Sequence, residues 1–296
     1  MRGLRVGLIV TAAVVLGACG VDGGRGDQEV SGDAVARVVT EKDFDPRKFG
    51  SPLQVDNRWF PLRPGAELTF EGSAIDGDQR IRRKVVFTVS DLIKVVDGVP
   101  TVVIWERDYN QGELAEAELA FFAQDDDGNV WTLGQYPEEY EEGELVAAPA
   151  WVSGQQGARP GLAMLAQPTP GPTYSQGYAP AVDYTDRARV FKLGQETCVA
   201  VSCYKDVLVT DEFALDEPAA RQLKYYAPGV GNIRVGWMGR DEEQEVLSLV
   251  KLVQLDEQAM AEVRRQVVAL DRHAYQVSDA YAATPPVEQP QPLPSG

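Results

Sequence analysis

Between residues 66 and 255 the chain repeats one pattern, in which short runs of alternating apolar and polar residues end in turn pairs. In 66–75, Leu68 and Phe70 fall on one face; in 80–96, Val85, Phe87 and Val89 share another. Gly77-Asp78, Asp97-Gly98, Gln111-Gly112, Asp127-Gly128 and Glu142-Gly143 separate runs at 66–75, 80–96, 101–108, 113–124, 129–136 and 144–148. Asp-Gly pairs accept the positive φ of tight hairpin turns, so this spacing predicts an antiparallel meander. The rhythm resumes at 187–193, 204–210, 221–226, 232–238 and 245–255. Ten to twelve strands are enough to curl. The expected fold class is therefore mainly all-β: a strongly curved antiparallel sheet, barrel or half-barrel, with a C-terminal helix against one opening.

Two segments depart from that rhythm. Residues 149–185 carry Pro149, Pro160, Pro168, Pro170, Pro172 and Pro180 with many glycines. Proline cannot donate to a ladder, so the segment is expected to be a long connection lying over the sheet as a flap. After Asp256, the residues Met260, Val263, Val267, Leu270, Ala274, Val277 and Tyr281 recur at steps of three and four. This is the narrow apolar seam of one helix, which either docks on the sheet, plugs its mouth, or pairs with a partner as a coiled coil. The domain scheme is a signal at 1–18, a lipidated tether at 19–43, a β domain at 44–255, a helix at 256–283 and a Pro-rich, disordered tail at 284–296.

The N-terminus sets the location. Arg2 and Arg5 precede an apolar run at 6–15 and the string Leu16-Gly17-Ala18-Cys19. That order describes a secretory signal, and the run is short of the roughly 20 residues a membrane span needs. The string resembles the lipobox of bacterial lipoproteins. The resemblance implies cleavage after Ala18, a diacylglycerol on the Cys19 sulfur and palmitate-type acylation. The mature protein would then be an extracytoplasmic, lipid-anchored component of a bacterial cell envelope.

Charge narrows the partners. The chain has 28 basic and 45 acidic residues, a net −17; losing Arg2 and Arg5 with the signal leaves −19. Such an excess repels nucleic acid and anionic headgroups, leaving the lipid on Cys19 as the membrane contact. Of three cysteines, Cys198 and Cys203 remain for a disulfide, as expected in an oxidising compartment. Along an extended strand they would lie about 16 Å apart, so the bond requires the chain to reverse at 199–202.

Chemical motifs are sparse. The segment 121–131 offers Asp125, Asp127 and Asn129 at alternating positions, but its glycine is misplaced for a calcium loop and no closing acid follows. A β-turn with solvated acids is expected there. The acidic run 137–144 reads as a solvated hairpin tip, and His273, the single histidine, as a surface or packing residue on the helix. No nucleophile elbow, glycine-rich cofactor loop or metal-ligand spacing is present, so no catalytic residue, metal or cofactor is expected.

Four segments taken together resemble a family of bacterial exported lipoproteins with no assigned reaction. They are DNRWFPLRPG (56–65), FFAQDDDGNVWTLGQ (121–135), the Pro-rich stretch 160–190 and KYYAPGVG (224–231). The resemblance spans about residues 52–235 and implies location and fold, not chemistry. The leading expectation for function is a non-enzymatic module that holds an apolar or amphipathic small molecule in the concave face of the sheet. Trp105, Trp131, Trp151 and Tyr226 are the candidate lining residues, beneath the 149–185 cover. The alternative is an envelope scaffold that contacts another protein through its helix. The interior discriminates: an apolar trough favours ligand binding, a filled core favours a scaffold, and convergent buried acids favour an enzyme.

Overall fold

The computed structural model describes residues 39–289. Fifteen strands among them join one sheet: β1 (Ala66–Asp76), β2 (Gln79–Val96), β3 (Val99–Asn110), β4 (Glu113–Gln124), β5 (Val130–Glu141), β6 (Glu144–Ala147), β7 (Trp151–Val152), β8 (Arg159–Met164), β9 (Tyr174–Ser175), β10 (Gly177–Tyr178), β11 (Asp186–Cys198), β12 (Cys203–Ala214), β13 (Ala220–Ala227), β14 (Gly231–Gly239) and β15 (Val246–Gln254). The order is β10-β8-β5-β4-β3-β2-β1-β15-β14-β13-β12-β11-β9, antiparallel throughout, with β6 and β7 added to β5. The sheet curls into a nearly closed barrel with one unsealed seam.

That seam lies between β8 and β11, and the Pro-rich segment crosses it. β9 pairs with β11, β10 pairs with β8, and only Gln176 separates them in sequence. The strap runs so close to β8 that a Cβ on Gly161 would stand 2.1 Å from the Gly177 amide nitrogen. Residues 149–185 therefore build wall, supplying β7 to β10, where a flap outside the sheet was expected. Most of their prolines occupy loops, and Pro160 sits in a short strand beside the seam.

Alternation sorts the strands into two buried faces. Leu68 and Phe70 of β1 and Val85 and Phe87 of β2 point inward, as their spacing predicts. On β3, Ile104, Glu106 and Asp108 share that side, while Val103, Trp105 and Arg107 point outward. The outer face of β2 to β5 is covered by α1 (Glu257–Val277), whose N-cap Asp256 accepts a hydrogen bond from the Ala259 amide at 2.9 Å. Val263, Val267 and Ala274 pack there against Leu92, Val96, Val103, Leu119 and Phe121, and Met260 is buried on the same helix. The helix thus docks on the outer wall and does not stand against an opening. Its seam is spent within the chain. The short α2 (Asp279–Ala282) continues the contact, burying Tyr281.

One end of the barrel is stoppered by the lead-in. Val55 bridges to Leu62, and Val55, Trp59 and Leu62 bury themselves among Val89, Val102, Ile104, Met164, Val190 and Leu208. At the same end, Cys198 and Cys203 are register partners across the β11–β12 reversal, their Cα atoms 3.9 Å apart and their sulfurs bonded. The disulfide expected from cysteine usage is present. Cys19 lies outside the described residues.

Candidate functional site

The barrel encloses a cavity of about 290 Å³ whose two halves differ in chemistry. Next to the stoppered end it is apolar, with Phe60, Leu68, Phe70, Phe87, Phe122 and Tyr226 as its main walls. Toward the other end it becomes carboxylate-rich. Nine acidic residues line the cavity against three basic ones.

Strand register explains the acidity. Glu106 lies directly opposite Glu118, and Asp108 opposite Glu116, across the β3–β4 ladder. Like charges in direct cross-strand pairs are normally selected against. Across the cavity, Glu212 of β12 pairs with Gln222 of β13, and Asp186 opens β11 beside the strap, its carbonyl accepting from the Gln176 amide at 2.9 Å. Glu245 enters from the turn before β15.

Two basic side chains hold this assembly together. Arg83 Nη2 lies 2.9 Å from Asp108 Oδ2 and 3.3 Å from Glu245 Oε1. Lys224 Nζ lies 3.0 Å from Glu212 Oε2, whose other oxygen accepts from Thr210 Oγ1 at 2.7 Å. The third base, Arg221, turns its guanidinium to Asp211, donating from Nε at 2.6 Å. What remains is an excess of acceptors. Asp108 Oδ1, Gln176 Oε1 and both carboxylate oxygens of Asp186 are buried with no hydrogen-bond partner, as is Glu116 Oε2 beside them. Asp186 is 1% exposed.

Burial without enough countercharge changes how these groups titrate. Desolvation pushes Glu106 up to about 8, and the facing Glu118 adds to it. Glu118 is likewise pushed up to about 8 by burial and by Asp108, with Lys224 opposing. Asp186 reaches about 8 through burial, Lys224 pulling it back and Glu212 pushing it further. Asp108 and Glu116 rise for the same reasons. Burial by itself would lower Lys224, but Glu212, Glu106 and Asp186 keep it above the ordinary lysine value. Among the described residues, no three histidine, cysteine or carboxylate side chains gather closely enough to hold a metal ion.

The four aromatics expected as lining are dispersed. Tyr226 lines the cavity. Trp105 faces outward, stacked under the Arg107 guanidinium at 3.8 Å beside α1. Trp131 is also on the outer face, against Phe44 and Phe49, and its Nε1 donates to Asp125 at 2.8 Å. Trp151 packs on Tyr184 in the wall near the seam, with ring centroids 4.8 Å apart. The 121–131 acids are not all solvated. Asp125 is buried and caps its own turn, accepting from the amides of Asp127 and Asn129 at 3.0 and 2.8 Å. Nor is 137–144 wholly a solvated tip. Glu138 is buried under α1, accepts from the Tyr136 and Tyr140 hydroxyls and meets His273 Nδ1 at 2.5 Å. Inward carboxylates were the residues that sequence reasoning missed; the signal was acids at 106, 108, 116 and 118, in phase with Ile104, Ala120 and Phe122.

No protein-family model and no curated protein matches the chain. Among the solved structures that resemble it remotely are two bacterial proteins. One is described as an exported protein with a YmcC-like fold from Bacteroides fragilis NCTC 9343, at 11% identity and a TM-score of 0.35, covering 67% of this chain and 99% of its own. The other is described as a lipoprotein from Parabacteroides distasonis ATCC 8503, at 9% identity and a TM-score of 0.36, covering 67% and 100%. Likeness this distant leaves the function to be argued from the cavity.

Proposed function

We propose that the barrel is a non-enzymatic binding module for an amphipathic small molecule. The observation that carries this reading is a 290 Å³ cavity with one apolar and one polar half. A wholly apolar ligand would leave the carboxyls facing hydrocarbon, and a wholly polar one would waste the phenylalanine walls. Convergent acids invite comparison with carboxylate-pair catalysis, which needs one acid neutral and its partner ionised. Glu106 and Glu118 are both pushed up by burial and by neighbouring carboxylates, and among the described residues the cavity lining places no histidine, cysteine or serine beside them to act as a nucleophile or its base. The scaffold alternative requires a free helix face, and the apolar seam of α1 is buried on its own barrel.

A homologous series of alkanols tests the reading. Affinity measured by calorimetry should rise by about 0.8 kcal/mol per methylene until the apolar half is full. Ala120→Phe, which fills that half, should abolish binding while a cooperative thermal transition persists. Affinity independent of chain length would refute an internal apolar site.

We further infer that this module hangs from an envelope membrane by a lipid on Cys19. The lipobox-like string supports this, and a disulfide at Cys198–Cys203 suits an oxidising compartment. Membrane-extracted protein should begin at Cys19 and carry added acyl mass, and Cys19→Ser should abolish detergent-dependent extraction. An intact mass that places the mature N-terminus elsewhere, without acyl chains, would overturn the anchor.

A further inference from the structure

We propose that the ligand's polar group is an organic cation, a primary ammonium or a guanidinium, seated in the carboxylate half with its hydrocarbon portion in the phenylalanine half. This rests on the amphipathic reading above and names the head group that reading leaves open.

Three observations lead to a cation. The first is the imbalance of charge: nine acids to three bases line one cavity, and each base is already taken up by acids of the protein itself. An anionic head would find no free countercharge and several carboxylates facing it. The second is the identity of the unsatisfied atoms. Both oxygens of Asp186, together with Asp108 Oδ1 and Gln176 Oε1, are acceptors without a donor, against one unpaired donor in the cavity, Arg83 Nε. A buried acceptor left unmade is costly, more so when charged, and a ligand bearing several N–H groups relieves several at once. The third is their spread. Among the described residues no three carboxylates gather closely enough to hold a metal ion, so the matching cation distributes its donors in space, as an ammonium with three or a guanidinium with five does. Asp186 is the centre of this proposal. It is 1% exposed, lines the cavity, and neither of its carboxylate oxygens has a hydrogen-bond partner.

The titration behaviour agrees with the geometry. With nothing bound, burial pushes Glu106, Glu118 and Asp186 up to about 8, so that they hold protons in place of a counterion. A bound cation would replace those protons.

The test uses three probes of one chain length, octylamine, octanol and octanoate, titrated calorimetrically into the purified protein. Octylamine is expected to bind at least about tenfold more tightly than octanol, with octanoate weakest. Asp186→Asn should reduce octylamine affinity about tenfold and leave octanol unchanged. If that variant does not fold, judged by loss of a cooperative thermal transition, Glu118→Gln is read the same way. Octanol or octanoate binding as tightly as octylamine would overturn the cationic head and leave the amphipathic reading standing. Failure of all three probes would overturn both. An unchanged preference for octylamine in both folded variants would remove these carboxylates from the site and the proposal with them.

Discussion

At the scale of single residues, the best-defined polar contact outside the cavity is the pair that fastens helix to barrel. Lys94 is fully buried, and its Nζ lies 3.1 Å from Asp271 Oδ1, 3.1 Å from the Tyr275 hydroxyl and 2.7 Å from the Pro285 carbonyl. Asp271 in turn accepts from the Tyr281 hydroxyl at 2.7 Å. Burial lowers Lys94 to about 8 even with Asp271 pulling the other way, which marks a dry site. Removing one partner of such a pair strands the other. Asp271→Ala is therefore expected to cost about 3–5 kcal/mol in urea denaturation near neutral pH, whereas Lys94→Met combined with Asp271→Leu should recover most of it. The cost of the single change should shrink as pH rises and Lys94 sheds its proton. A loss below about 1 kcal/mol would mean that water reaches the pair.

At the scale of elements, what the chain discloses depends on how many faces a strand buries. β1 and the first half of β2 bury mainly one, so Leu68, Phe70, Val85 and Phe87 read correctly as inward. β3, β4 and β5 bury two, because α1 covers their outer side, and there the rule of apolar inside and polar outside inverts. Trp105 and Trp131 went to the outer side, while Glu106, Asp108 and Glu118 went to the cavity, with Glu116 buried opposite Asp108. Alternation alone gave two phases for these strands and no means of choosing between them. The helix itself was legible from its steps of three and four, but its docking face was not, since the partner surface lies about 160 residues away. The seam was illegible for a different reason. β9 and β10 hold two residues each, and their pairing is decided by the close approach of Gly161 to the strap, a long-range fit that no local period encodes. The turns, by contrast, were plain, because positive φ at Asp97, Gly98, Glu142 and Gly143 is a local demand that the dipeptides themselves meet.

At the scale of the whole molecule, the interior carboxyls tie stability to pH in an unusual direction. Acids that pair with bases are usually held low, and such proteins weaken as pH falls. In this barrel Glu106, Glu118, Asp186 and Glu243 are raised to about 8, chiefly by burial, and Asp108, Glu116 and Glu245 are raised as well. In the unfolded chain the same groups titrate near 4. Between about pH 4 and about pH 8 the native state therefore binds more protons than the unfolded state, and stability must fall as pH rises through that window. Lys94 acts in the opposite sense only above about pH 8, where the unfolded chain keeps a proton that the folded one has lost. The empty protein is accordingly expected to lose on the order of a few kcal/mol of unfolding free energy between about pH 5 and about pH 8, read from urea midpoints or thermal transitions. Glu118→Gln removes one titrating carboxyl and its repulsion with Glu106, so it should stabilise the protein near pH 8 and flatten the slope. A profile that is level, or that climbs with pH across this interval, would show that water or bound counterions already solvate the carboxyls, and that the barrel stores no unmet charge for a ligand to relieve.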